Sequence, residues 1–264
     1  MRIFIVDAFT DQPYKGNPAA VCVLDRERPE RWMQRVANEM NCSETAFALR
    51  MGDEYSLRWF TPETEVDLCG HATLATAHLL WEEGLHEGDE IAFHTRSGRL
   101  TAERDGEWIR LDFPADPAVP AEAPEDLTEG LGSAALVYVG KGGTDLVVEL
   151  EDEAAVARLR PNLHAWKRLD ARGVLVTARS GRPNVDFVSR CFFPAIGIDE
   201  DPVTGSAHCT LGPYWAAKLG RTELTAMQLS AREGLLRLRV GTERVQLTGR
   251  AVTTLRGELA AERL

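Results

Sequence analysis

Two stretches of this chain repeat one design. Arg58-Trp59-Phe60-Thr61-Pro62 leads through a polar turn to Cys69-Gly70-His71-Ala72 and an apolar run. Arg190-Cys191-Phe192-Phe193-Pro194 leads through a turn, three residues longer, to Thr204-Gly205-Ser206-Ala207 and a second apolar run. The shared pattern is Arg-x-Phe-x-Pro, a turn, Gly-x-Ala, then a helix. A duplicated unit restricts the chain to two structural halves of common design. The first helix is expected from about His71 to Glu83 and the second from Gly205 to about Leu219. Both are apolar around their circumference, so they belong inside the protein. Their unpaired N-terminal N–H groups are expected to converge on one cleft.

The strands expected around these helices are Arg2 to Phe9, Ala19 to Leu24, Asn41 to Leu49 after a polar start, and Tyr55 to Phe60, with more between Glu90 and Leu111. A helix is expected over Pro29 to Met40, where Trp32, Val36 and Met40 share a side. Pro114 to Pro124 holds four prolines and reads as a linker. It divides an N-terminal lobe, 1–115, completed by the C-terminal strand 251–264, from a C-terminal lobe, 116–250. The second lobe opens with a short helix near Glu125. Strands follow at Ala134 to Val139, Asp145 to Leu150, Gly173 to Ala178 and Val185 to Phe193, and four more lie after the second buried helix. Regular βαβ alternation is absent, so the fold class is α+β, with curved sheets each wrapped on one buried helix. Pro213 inside the second helix has no explanation in the sequence beyond a bend around a ligand or neighbour.

Charge narrows the partners. Thirty basic residues against 41 acidic ones leave a net charge of −11, which disfavours nucleic acid and anionic membranes. A small anionic ligand remains compatible, because a helix N-terminus binds it locally. The five cysteines are odd in number and widely spaced, which suits a reducing compartment. No signal peptide precedes Ile3-Phe4-Ile5-Val6 and no apolar run reaches membrane-spanning length, so a cytoplasmic location is expected.

Chemistry concentrates around the two helix starts. Glu44 opens an apolar strand, on the face it shares with Ala46 and Ala48. A partly desolvated carboxyl there suits proton transfer, and the alternative is an exposed strand-start glutamate. His71, in the first turn of the first helix, could exchange hydrogen bonds with a substrate as a neutral ring or simply be satisfied by backbone. Asp201 either orients a ligand, Glu44 or His71, or stabilises its own turn. Ser206, behind Gly205, is placed to bind a carboxylate with the free amides, or to cap the helix. Cys69, His71, His208 and Cys209 match no common zinc spacing, so no metal is expected. Phosphate-loop, dinucleotide and serine-hydrolase motifs are missing, and no nucleotide cofactor is indicated.

Four segments together resemble a known family. Asp7-Ala8-Phe9 with Gly16-Asn17-Pro18-Ala19-Ala20-Val21, Ser43-Glu44-Thr45-Ala46-Phe47, Leu68-Cys69-Gly70-His71-Ala72-Thr73 and Glu200-Asp201-Pro202-Val203-Thr204-Gly205-Ser206-Ala207 are similar, in order and over the whole chain, to the PhzF-like phenazine-biosynthesis isomerases. The resemblance implies the diaminopimelate-epimerase fold, two similar lobes that are each a β-barrel-like sheet around a central helix. It also implies a homodimer without cofactor, acting on a small carboxylate-bearing molecule as in the isomerisation of trans-2,3-dihydro-3-hydroxyanthranilate. Carried across, Glu44 is the acid/base. Asp201 and His71 hold polar groups and assist protonation. Ser43, Gly70, Gly205 and Ser206 bind substrate. Two-thiol epimerisation looks unavailable, because Thr204 stands where the second cysteine would be. An epimerase using Cys69 with Glu44, and a binding protein without chemistry, remain as alternatives.

Overall fold

The halves of the chain build the same succession of strand pairings. The computed structural model describes residues 1–260. Its first elements are β1 (Arg2–Ala8), β2 (Asn17–Leu24), α1 (Glu30–Met40), β3 (Glu44–Met51), β4 (Glu54–Phe60), β5 (Glu65–Val66), α2 (Gly70–Glu82), β6 (Glu90–Thr95), β7 (Gly98–Asp105) and β8 (Trp108–Pro114). There follow β9 (Val119–Pro120), α3 (Glu125–Leu131), β10 (Leu136–Lys141), β11 (Asp145–Leu150), α4 (Glu153–Arg158), α5 (Leu163–Trp166), β12 (Gly173–Arg179), β13 (Phe187–Phe193) and β14 (Ile198–Asp201). The chain continues with α6 (Gly205–Leu219), β15 (Glu223–Gln228), β16 (Gly234–Val240), β17 (Arg244–Gly249) and β18 (Ala251–Glu258). It divides into two units, Met1–Asp112 with the segment from Thr248 onward, and Phe113–Leu247. Of the strand 251–264 expected to complete the first lobe, 261–264 lie outside the described residues.

In the first unit β1–β2 is antiparallel, β2–β3 parallel, β3–β4 antiparallel, β4–β6 parallel and β6–β7 antiparallel, with β5 a short antiparallel partner of β4. In the second, β10–β11, β11–β12, β12–β13, β13–β15 and β15–β16 follow the same order of antiparallel and parallel pairs, and β14 is the short partner of β13. The first sheet is extended by β18 beside β1. Fold class is therefore α+β with two similar lobes, as the repeat implies.

Each unit has a helix on either side of its sheet residues' alternation. In the first, α1 buries Trp32, Met33 and Val36 against Phe47 and Phe60, while α2 packs on β1, β2, β3 and β18. In the second, α4 and α5 bring Val156 and Trp166 to Val174, Val176 and Phe192, and α6 packs on β11, β12, β15 and β16. Full burial of each such side chain contributes about 1.5–3 kcal/mol. Buried residues cover α2 on all sides, from His71 to Ala77 and again from Leu79 to Trp81.

The Arg-x-Phe-x-Pro repeat now has a physical reason. Arg58 forks the Glu65 carboxylate with two bonds of 2.6 Å and lies over the Phe60 ring. Arg190 forks Glu200 at 2.7 and 2.8 Å and lies over Phe192. In both units the arginine thus ties the strand to its short partner while its flat face covers a core ring.

Two expectations are corrected. Pro114–Pro124 is not an open linker: β9 within it pairs with β10, and Asp116 docks on α6. Pro213 sits inside α6 and cannot donate to the Cys209 carbonyl one turn back. Asp116 N–H takes that place at 3.0 Å, and its carboxylate accepts from Thr210 Oγ1 and Gly143 N. The donor missing from the proline is supplied by the segment read as a linker, so α6 continues to Leu219.

Candidate active site

Strand alternation puts Glu44 where the first unit's chemistry begins. Phe47 of β3 faces α1, so Ala46, Ala48 and Glu44 face the other way, toward α2. There the first turn of α2 holds His71, 5% exposed. Its Nε2 lies 3.3 Å from Glu44 Oε2. On the other edge of the ring, Nδ1 is 3.4 Å from Asn17 Nδ2 and 3.5 Å from Cys69 Sγ. Ser43 Oγ donates to Asn17 Oδ1 at 3.4 Å. Burial disfavours the imidazolium and pushes the His71 pKa down to about 3, so the ring is neutral at pH 7. Gly70 is the first residue of α2, and Cys69 is its N-cap without a side-chain capping bond. The first unit thus gathers Ser43, Glu44, Gly70 and His71.

Glu44, Cys69 and His71 offer donor atoms within 4.8 Å of one another, which raises the question of a metal. The ring answers it. Cys69 lies on the Nδ1 edge and Glu44 on the Nε2 edge, and one ion binds only one of those nitrogens. An amide N–H donor also occupies the Nδ1 side. The arrangement suits proton movement along an edge of the ring better than coordination.

The second unit gathers Asp201, Gly205 and Ser206. Asp201, 8% exposed, ends β14 and accepts from Thr204 Oγ1. Gln228 holds the turn from both ends, its amide donating to the Asp201 carbonyl at 2.7 Å and its Oε1 accepting Thr204 N–H at 2.9 Å. The N-cap of α6 is Thr204 and not Ser206, which is the second helical residue and exposed. Arg172 forks the buried Asp145 carboxylate and reaches Ser206 Oγ at 3.3 Å. His208, fully buried, points Nδ1 at the Thr204 carbonyl, 2.8 Å away. A carbonyl only accepts, so this nitrogen carries the proton, and burial lowers the pKa to about 4. The Cys191 thiol, buried beside Asp201, is pushed well up by desolvation and stays protonated.

Asn17, Arg172 and Gln228 received no role from the sequence. Asn17 did stand in a quoted motif, Gly16-Asn17-Pro18. Arg172 would have emerged from aligning the two sheets, because it precedes β12 as Ser43 precedes β3. Gln228 reaches the turn only through the fold, and nothing local announces it.

The family model for phenazine biosynthesis-like proteins, PhzC-PhzF, matches residues 6–257. A protein of Halalkalibacterium halodurans described as an isomerase is 54% identical over 259 residues, 97% of each chain. A crystal structure of a PhzF-family phenazine biosynthesis protein from Enterococcus faecalis superposes with a TM-score of 0.94 at 44% identity, covering 98% of this chain and 99% of that one. A probable proline racemase from Agrobacterium radiobacter, 15% identical with a TM-score of 0.61 over 99% of this chain and 93% of its own, shares the fold alone. Among the described residues, no helix is long and apolar enough to cross a membrane.

Proposed function

The chain belongs to the PhzC-PhzF family of phenazine biosynthesis-like proteins and is an isomerase, and on that premise we propose a cofactor-independent proton shift carried by Glu44. The substrate is a small carboxylate-bearing molecule, of the type of trans-2,3-dihydro-3-hydroxyanthranilate. Glu44 takes a proton from one carbon, the electron pair moves along the conjugated system, and the same carboxyl returns a proton to another carbon. One acid/base group serves both ends of a shift, whereas inversion at a single carbon needs groups on two faces.

The observation that carries this reading is the Glu44 carboxylate 3.3 Å from Nε2 of a buried, neutral histidine at a helix N-terminus. A carboxylate largely shielded from water beside a neutral ring is placed to exchange a proton with a substrate held against it. His71 and Asp201 hold polar substrate groups in this scheme. Gly70, Gly205, Ser206 and Ser43 contribute hydroxyl and amide donors to the substrate. Thr204 stands at the N-cap position of α6 as Cys69 does at that of α2, and an alcohol is too weak an acid to partner a thiol, which argues against a two-thiol racemase.

The test is incubation in D₂O with trans-2,3-dihydro-3-hydroxyanthranilate and a panel of amino and hydroxy acids, followed by NMR. A proton-shift isomerase produces a moved double bond, with deuterium at the carbon that receives the proton. Loss of optical rotation without a moved bond would instead favour epimerisation by Cys69 with Glu44. Ligand binding without any exchange would support a binding protein.

A further inference from the structure

We propose that Asn17 is a positioning residue that sets the tautomer of His71, placing its single proton on Nε2, toward Glu44. The inference rests on the proton-transfer reading for its importance, but its geometry stands alone. A neutral imidazole has one donor nitrogen and one acceptor nitrogen, and the partner of one edge decides the state of the other. On the Nδ1 edge of His71 stands the side-chain amide of Asn17, with Nδ2 at 3.4 Å. An amide nitrogen only donates.

Ser43 Oγ, at 3.4 Å, donates to Asn17 Oδ1, and that bond leaves the amide NH₂ toward the ring. Asn17 is fully buried at the start of β2, so water does not stand in for either partner. The other group on this edge, Cys69 Sγ at 3.5 Å, is a thiol that can donate weakly to the same nitrogen. Two donors converge on Nδ1, so Nδ1 is the acceptor and the proton resides on Nε2. That nitrogen is the one 3.3 Å from Glu44 Oε2. A proton on Nε2 therefore faces the Glu44 carboxylate across a 3.3 Å contact that falls outside hydrogen-bond geometry.

The second unit supplies an internal contrast. His208 donates from Nδ1 to the Thr204 carbonyl, and its Nε2 lies 3.4 Å from Ser189 Oγ. Two buried neutral histidines in one chain are thus expected in opposite tautomers, each dictated by what faces Nδ1.

The experiment is long-range ¹H–¹⁵N correlation on protein labelled in its histidine rings, recorded without substrate. Signals are assigned by their loss in His71→Gln and His208→Gln. The expected wild-type result is a protonated Nε2 and bare Nδ1 for His71, with the reverse for His208. In Asn17→Asp the carboxylate only accepts, so Nδ1 of His71 gains a proton while the His208 pattern stays. Protonated Nδ1 in wild-type His71, alone or with Nε2, overturns the proposal, as does a bare Nδ1 in a folded Asn17→Asp protein. The wild-type spectrum decides the matter even if that variant does not fold. A failed deuterium-exchange test would refute the proton-shift function without altering the ring spectrum, so the two failures are distinguishable.

Discussion

The starts of α2 and α6 occupy the same point of the same strand arrangement and are loaded differently. Both N-caps are extended, Cys69 with φ −146° and ψ 108° and Thr204 with φ −113° and ψ 103°. Glycine follows, and then His71 in one helix and Ser206 in the other. In the sheets, Thr45 pairs with Phe60 as Val174 pairs with Phe192. Glu44 therefore corresponds to Gly173, and Ser43 to Arg172. A side chain at Gly173 has no room, since a Cβ there would lie 2.2 Å from the Phe193 ring. Arg172 lies over that same ring, 5.1 Å from its centroid, and turns to Ser206. One unit pairs a carboxylate with a neutral histidine, and the other pairs a guanidinium with a hydroxyl. Duplication preserved the scaffold and its helix-start amides, while the side chains in front of them diverged, to a carboxylate beside a neutral ring in one unit and a guanidinium beside a hydroxyl in the other.

The sharpest way to break this comparison is to remove the carboxylate that only one unit has. Glu44→Gln retains the volume and the hydrogen-bonding reach of the side chain. Turnover is expected to fall by about 10³-fold, within the range that general acid/base groups supply. Circular dichroism and thermal melting should stay near wild type. Full activity on a substrate identified by deuterium exchange would remove Glu44 from the mechanism and with it the division between the two helix starts.

The two arginine forks are alike in geometry but not in depth, and their removal should cost unequally. Arg190 is 9% exposed in its side chain and also donates to the Val156 and Leu159 carbonyls at 3.2 and 2.8 Å. Arg190→Ala leaves the Glu200 carboxylate without its fork and takes one of two donors from each carbonyl, which keep Leu159 N–H and Arg160 Nη1, and it is expected to destabilise by about 3 kcal/mol. Arg58 is 28% exposed, and its partner Glu65 keeps Arg96 at 2.5 Å. Arg58→Ala is therefore expected to cost only about 1 kcal/mol. Urea unfolding of the two variants checks the ratio, and equal losses would mean that burial does not separate the forks.

These contrasts mark where the sequence was readable. The buried helices, the duplicated Arg-x-Phe-x-Pro and the facing of Glu44 with Ala46 and Ala48 all follow from local periodicity, which one strand or helix carries in its own residues. What stayed hidden depends on partners far along the chain. Asp116 fills the gap left by Pro213 ninety-odd residues away, and Gln228 grips a turn from another strand. The two- and four-residue strands β5 and β14 are too short to show alternation. The correspondence of Glu44 with Gly173 needs strand register, which no spacing between motifs reveals. Cys69 and Thr204 are matched by the sequence, whereas the N-cap position offered to Ser206 as its alternative role falls to Thr204, because the helix starts at Gly205.

Both helices also bury a neutral histidine, and acid should expose this shared feature. The folded pKa values, about 3 for His71 and about 4 for His208, lie below the unfolded value of about 6.5. Below that unfolded value the unfolded chain binds protons that the folded protein refuses. Stability from this source is complete above pH ~6.5 and is lost as pH falls toward the folded values, at about 1.4 kcal/mol per pH unit for each ring. His71→Gln and His208→Gln should each flatten the slope of unfolding free energy between pH 6.5 and 5 by about that amount. An unchanged slope in one variant would identify the ring that is charged in the folded state.

Ser206 is the smallest lever and bears on the anion side of the comparison. Its hydroxyl is exposed and already meets Arg172, so Ser206→Ala removes one donor while the guanidinium and the helix-start amides remain. A single hydrogen bond of about 1 kcal/mol corresponds to a roughly fivefold rise in KM. If the second unit only holds the substrate carboxylate, the ground state and the transition state lose that bond equally, and kcat stays within about twofold. A fall in kcat at constant KM would place Ser206 in the bond-making step instead, and the separation of proton transfer from anion binding between the two helix starts would no longer describe the protein.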